Sequence, residues 1–116
     1  MTNDQAVGRQ CILAEAQQLF FAHGYHGASV REIVQACGLS NAALYYHFGS
    51  KQNLYAEVIR EFVASVVRPV QAAGAGNGSS RERLARMVLA FARFSSESRS
   101  ELHTLLRDLT ECEGEE

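Results

Sequence analysis

The stretch from Ser29 to Lys51, "SVREIVQACGLSNAALYYHFGSK", is dense in helix punctuation and constrains the fold more than any other feature of the chain. Ser29 followed by Glu32 is a capping box: the serine oxygen accepts from a free backbone N–H, and the glutamate reaches back to the cap. Val30, Ile33, Val34 and Cys37 then give a short helix one inward face. Gly38 supplies a backbone able to stop that helix and turn sharply. After Leu39 comes Ser40, a good N-cap for a second helix. Gly49 ends that helix, Ser50 caps a third, and Lys51 falls in the third helix's first turn. A lysine there opposes the helix dipole unless an anion lies nearby.

The second of these helices contains "LYYHF", three aromatic residues and a histidine in consecutive places after Leu44. At about 100° per residue, Leu44, Tyr45 and Phe48 share one sector, and Ala42, Ala43, Tyr46 and His47 take the other side. Leu44 and Phe48 are the expected core pair. Asn41 projects near the helix N-terminus, and Tyr46 and His47 face solvent beside two small residues.

Around this stretch the pattern is helical throughout. Ile12, Ala16, Leu19 and Phe20 form one stripe over residues 5 to 22, with Gly24 as a left-handed stop. Leu54, Val58, Phe62 and Val66 mark a long helix over about 51 to 67, flanked by Tyr55, Ile59 and Val63; such wide apolar coverage predicts contact on two sides. Pro69 and "AAGAGNGSS", residues 72 to 80, read as the linker. Leu84, Met87, Val88 and Phe91 mark a fifth helix over about 80 to 96, and Leu102, Leu105, Leu106 and Leu109 a sixth. Four glutamates in the closing "ECEGEE" sit at the wrong end of that helix dipole, so the last residues are expected to fray.

Composition narrows the function classes. With 47% apolar and 21% charged residues the chain is ordinary globular material. Its longest apolar run, "FVASVV", is far short of the ~20 residues of a membrane span. The polar start "MTNDQAVGRQC" does not resemble a secretory signal, so a cytoplasmic protein with no membrane association is expected. Cys11, Cys37 and Cys112 form no paired spacing, and Cys11 and Cys37 read as small buried hydrophobes. His23 and His26 make an HxxH pair without a third ligand; they read as helix-end and turn histidines, and no metal or cofactor is expected. No phosphate loop, GxSxG or HExxH is present, so the chain does not read as an enzyme. The net charge of −2 hides a neutral first part: residues 1 to 51 carry Arg9, Arg31 and Lys51 against Asp4, Glu15 and Glu32. Binding to nucleic acid would therefore rest on a few placed residues rather than a basic field.

Two short capped helices around a glycine turn make a helix-turn-helix, whose second helix can lie in the DNA major groove. Ala42 and Ala43 would let the backbone approach the bases, Ala or Tyr can meet a thymine methyl, and Tyr46 and His47 share that side. The helix starts at Ser29 and Ser40 offer free N–H groups to phosphates. The alternative is a small bundle whose short helices only pack.

The longer stretch "LFFAHGYHGASVREIVQACGLSNAALYYHFGSKQNLYAEVI" resembles the DNA-binding domain of the TetR family of bacterial transcriptional regulators. The likeness runs through Phe20, Gly24-Tyr25, Ser29 to Ile33, Ala36, Gly38, Ser40, Leu44-Tyr45, His47-Phe48, Ser50-Lys51 and Leu54, and spans about residues 9 to 66. It implies an all-α fold: a three-helix helix-turn-helix domain over 6–66, with the motif at 29–48, then a long connecting helix and two further helices. Residues 67–116 would be a partial regulatory or dimerisation region. It implies that Ser29 and Lys51 touch phosphates, and that Asn41, Ala42 and Ala43, with Tyr45 or Tyr46, face the groove. His47 would contact the backbone, and Arg31 a base or a phosphate. Tyr45 satisfies both readings if its ring packs while its hydroxyl protrudes.

The function so implied is that of a repressor reading a palindromic operator in double-stranded DNA as a homodimer. TetR-like regulators continue into helices that close a small-molecule effector cavity and form the dimer interface, whereas this chain stops at "HTLLRDLTECEGEE". A truncated form, or assembly through apolar stripes on the fifth and sixth helices, is the expectation for that departure. The second function class is a truncated helical interaction protein that pairs with a full-length regulator without binding DNA tightly itself.

Overall fold

The computed structural model describes residues 2–114, and the side chains of residues 5–96 and 98–111 within them. Six helices follow one another: α1 (Thr2–Gly27), α2 (Val30–Ala36), α3 (Asn41–Phe48), α4 (Lys51–Gly74), α5 (Ser80–Glu97) and α6 (Arg99–Gly114). The described residues contain no strand. The side chains of Cys112, Glu113, Glu115 and Glu116 lie outside the described ones, while Glu111 is exposed and the backbone of α6 stays helical to Gly114, further than the expected fraying allows.

Helices of 7 and 8 residues, like α2 and α3, are far too short to hold themselves together in water. They persist because their inward residues share one core with α1 and α4. Ile12, Ala16 and Phe20 of α1, Ile33 and Val34 of α2, Leu44 and Phe48 of α3, and Leu54 and Val58 of α4 meet around Ala28. The local punctuation does what the sequence predicts. Ser29, Ser40 and Ser50 each accept from the backbone N–H three residues on, at 3.0, 3.3 and 3.0 Å. The turns at Gly38 and Gly49 have φ of 67° and 86°, where a side chain would be strained.

Two boundaries differ from the sequence reading. The first helix begins at Thr2 rather than residue 5, and it kinks at Gly24, whose positive φ (φ 81°, ψ 174°) is a conformation that suits glycine, before a last short stretch to Gly27. More substantially, α4 does not stop near residue 67. It runs through Pro69 to Gly74, and the linker shrinks to residues 75–79. The cause is tertiary. The carbonyls of the last turn, which lack helical partners, are capped from α5: Arg86 Nε donates to Ala73 O at 2.8 Å and Arg83 Nε to Gly74 O at 2.6 Å. A second capping box, in which Ser79 Oγ accepts from Glu82 N, starts α5.

The distal helices are less enclosed. Leu105 is buried and Leu102 half-buried, but Leu106 and Leu109 are exposed, and of the α5 stripe only Met87 is half-buried. Leu84, Val88 and Phe91 lie more than half open to solvent. Helix α6 instead packs back on α1, with Thr104 Oγ1 donating to Phe21 O at 3.0 Å.

Candidate nucleic-acid interface

Helix α3 is held from beneath and open above. Leu44 and Phe48 enter the core with 0% and 6% of their surface exposed, which fixes the rotation of the helix about its axis. An ion pair clamps its base: Arg9 of α1 donates to Glu57 Oε1 of α4 at 2.7 Å, and the same guanidinium lies 4.8 Å from the centre of the Phe48 ring. The opposite side presents Asn41 and Ala42, both exposed, with Ala43 half-buried beside them. Tyr46 stands 71% exposed, and its hydroxyl accepts a long hydrogen bond of 3.5 Å from Gln5 Nε2.

Two side chains are placed differently from the helical projection. Tyr45, assigned to the core side, is 49% exposed, which makes it an edge residue available from outside. His47, assigned to the solvent side, is half-buried: it turns its ring edge to Tyr46 at 5.1 Å between centroids, and its Nε2 lies against Gly8 of α1. The reason is the same for both. A single-helix projection does not see α1, which crosses beside the last turn of α3 and shelters His47 while leaving Tyr45 uncovered.

The cap residues are committed locally. Ser29 Oγ accepts from Glu32 N and donates to Glu32 Oε1, so the serine hydroxyl is engaged within its capping box, and Ser40 Oγ accepts from Ala43 N. Arg31 is exposed on the first turn of α2. Lys51 is half-buried at the start of α4, with Nζ 4.4 Å from the centre of the Tyr25 ring. Burial lowers its pKa from the ordinary lysine value. The sequence reading did not single out Tyr25 as the seat of that ammonium, nor Arg9 and Glu57 as the clamp; no local pattern marks either.

Beneath α2, Cys37 and Cys11 touch. Both are half-buried rather than buried as expected, and the Cys37 thiol is pushed up to about 12 by burial first and then by its hydrogen bond with Cys11. Among the described residues no cluster of His, Cys, Asp or Glu has the geometry to hold a metal ion.

A core-anchored short helix with small and aromatic residues on its open side, preceded by a second capped short helix across a glycine turn, defines the helix-turn-helix class of module. Comparison with known proteins takes this further. Residues 12–58 match the family model described as "Bacterial regulatory proteins, tetR family". The chain is 42% identical over 66 residues to the HTH-type transcriptional repressor AcnR of Corynebacterium glutamicum, covering 57% of this chain and 35% of that protein. It is 37% identical over 83 residues to the HTH-type transcriptional activator FasR of Mycolicibacterium smegmatis, covering 72% of this chain and 38% of that one. The crystal structure of a TetR-like transcriptional regulator from Rhodococcus sp. RHA1 superposes with a TM-score of 0.72 at 31% identity, over 88% of this chain and 56% of that chain. Residues 12–58 are thus a TetR-family DNA-binding domain, and the chain spans well under half the length of the two curated relatives.

Proposed function

We propose that the protein is a sequence-specific DNA-binding transcriptional regulator of the repressor type, with α3 lying in the major groove of a palindromic operator. The observation that carries the reading is the division of α3. Leu44 and Phe48 anchor one side, while Asn41, Ala42, Tyr45 and Tyr46 stand open on the other. Polar and aromatic groups beside small ones suit base edges and thymine methyls. Lys51, Arg31 and the helix start at Ser40 flank that surface and supply phosphate contacts. Ser29 contributes through the backbone of its cap, since its hydroxyl is engaged by Glu32. His47, sheltered by α1, reaches the DNA backbone only at its edge.

In this reading residues 6–66 are the DNA-binding domain and residues 67–116 the start of a regulatory and dimerisation region, joined by α4, which runs unbroken across that boundary. A homodimer would bring two copies of α3 to half-sites about one helical turn apart or a multiple of it. The apolar cavity of about 260 Å³ between α4, α5 and α6, lined by Phe62, Val66, Phe91, Phe94, Leu102 and Leu105, is the candidate seat for a small-molecule effector. No helix among the described residues is long and apolar enough to cross a membrane, in keeping with action on DNA in the cytoplasm. The role is non-enzymatic, and the regulators among the relatives favour it over a helical interaction protein that leaves DNA alone. Repeated selection from a pool of random duplexes tests it: the protein should enrich one two-fold symmetric motif, and a pool that gains no motif would refute the reading.

A further inference from the structure

Asp108 is the one buried charged side chain among the described residues, at 5% exposure, and it sits in the middle of α6, far along the chain from the helix-turn-helix. A carboxylate is costly to bury without partners. Both of its hydrogen-bond partners belong to the DNA-binding domain: the backbone N–H of Tyr25 donates to Oδ2 at 3.0 Å, and the Tyr55 hydroxyl donates to the same oxygen at 2.5 Å. The other oxygen, Oδ1, lies against Gly24, where a β-carbon would come within 2.9 Å of it. The positive-φ kink at Gly24 is therefore both the end of the main run of α1 and the place where α6 approaches closely enough to grip the next residue.

The gripped residue is the one that carries Lys51. The Tyr25 ring stacks on Phe20 at 6.0 Å, meets Tyr55 edge-on at 5.0 Å, and holds the Lys51 ammonium over its face at 4.4 Å. Asp108 thus fixes the ring that seats the cation from two directions, by the backbone of Tyr25 and by the hydroxyl of the ring packed against it. A lysine has a flexible four-carbon stem, and much of its freedom must be given up before it can meet a phosphate; a seat on an aromatic face removes that freedom in advance.

We propose that Asp108 is a positioning residue for DNA binding: through Tyr25 and Tyr55 it seats Lys51 for the phosphate backbone, so that the placement of α6 sets the strength of that contact. The proposal rests on the reading of Lys51 as a phosphate contact, and it adds a residue of α6 to the DNA-binding machinery. A phosphate contact is independent of sequence, so a mixed-sequence duplex of about 30 base pairs, roughly three helical turns, serves as the probe.

The experiment is a double-mutant cycle on the 116-residue chain, with affinity for that duplex measured across salt concentrations and folding checked by circular dichroism. Lys51→Ala should lower the slope of log affinity against log salt by about one unit. Asp108→Ala should weaken binding about fivefold, the worth of an exposed cation–π contact, and lower the slope toward that of Lys51→Ala. The double variant should bind no worse than Lys51→Ala alone. Asp108→Asn retains an acceptor oxygen and should restore the slope. If Asp108→Ala does not fold, Tyr55→Phe removes one of the two bonds while keeping the ring, and it should show the same loss only when Lys51 is present. Should the loss from Asp108→Ala, or from Tyr55→Phe in its place, be equal with and without Lys51, or leave the salt slope unchanged, Asp108 is structural only and the proposal is overturned. Should Lys51→Ala itself leave the slope unchanged, the phosphate role of Lys51 fails and takes the proposal with it.

Discussion

Truncating Leu44 and Tyr46 to alanine separately asks whether α3 has one structural side and one reading side. Leu44 has none of its surface exposed and packs in the cluster with Phe48, Ile33 and Val34. Removing most of its side chain loses the transfer free energy of the deleted carbons and leaves a cavity; together these cost about 2.7–5 kcal/mol in comparable sites. Helix α3 has 8 residues and no intrinsic stability to absorb the loss. At about 4–8 °C per kcal/mol for a domain of this size, the melting temperature should fall by at least about 10 °C. Tyr46 is 71% exposed, and its one polar contact among the described residues is the 3.5 Å bond from Gln5 Nε2, too long to contribute much. Tyr46→Ala should shift stability by no more than about 0.5 kcal/mol while weakening binding to the selected duplex by about tenfold or more, the worth of a lost base contact. Calorimetric melting and fluorescence anisotropy on both variants read the two effects independently. If Tyr46→Ala lowers the melting temperature as far as Leu44→Ala, or leaves duplex affinity untouched, the division of α3 into two sides is wrong.

Two further outcomes follow from contacts away from α3. Arg86→Ala removes the donors to Ala73 O and Asn77 O and leaves Arg83 as the arginine still capping the end of α4; urea unfolding should show a loss of about 1–3 kcal/mol, whereas Arg81→Ala, exposed on the same helix, should cost little. Cys37 binds its proton more tightly folded than unfolded, so its contribution to stability is complete below pH 9.0, its ordinary value, and is lost as pH rises toward about 12. Unfolding profiles across that alkaline range should therefore decline less steeply for Cys37→Ala than for the unaltered chain.

The residues that punctuate the helix-turn-helix were legible because their information is local. Ser29 with Glu32, Ser40, Gly49 and Ser50 act on neighbours within four residues, and a sequence pattern carries such interactions directly. Pro69 misled for the opposite reason. Its local effect is to end helices, but Arg83 and Arg86 reach back from α5 and sustain α4 beyond it. Tyr45 and His47 fell between these cases: helical projection placed them relative to their own axis, whereas their exposure is decided by α1 lying alongside. Asp108 was illegible altogether, because its partner Tyr25 is 83 positions away and nothing around it in α6 distinguishes it from a surface acid. What the sequence conveyed was the outline of the open side of α3; the supports beneath it came from long-range contacts.

Whether the open side of α3 meets DNA decides the proposed function. Backbone amide shifts of the isotope-labelled protein, followed while the selected duplex is titrated in, address this most directly. Asn41, Ala42, Ala43, Tyr45 and Tyr46 should move most, with Arg31 and Lys51 next and the exposed faces of α5 and α6 nearly still. Perturbations gathered on α5 and α6, with Asn41 to Tyr46 unmoved, would contradict it.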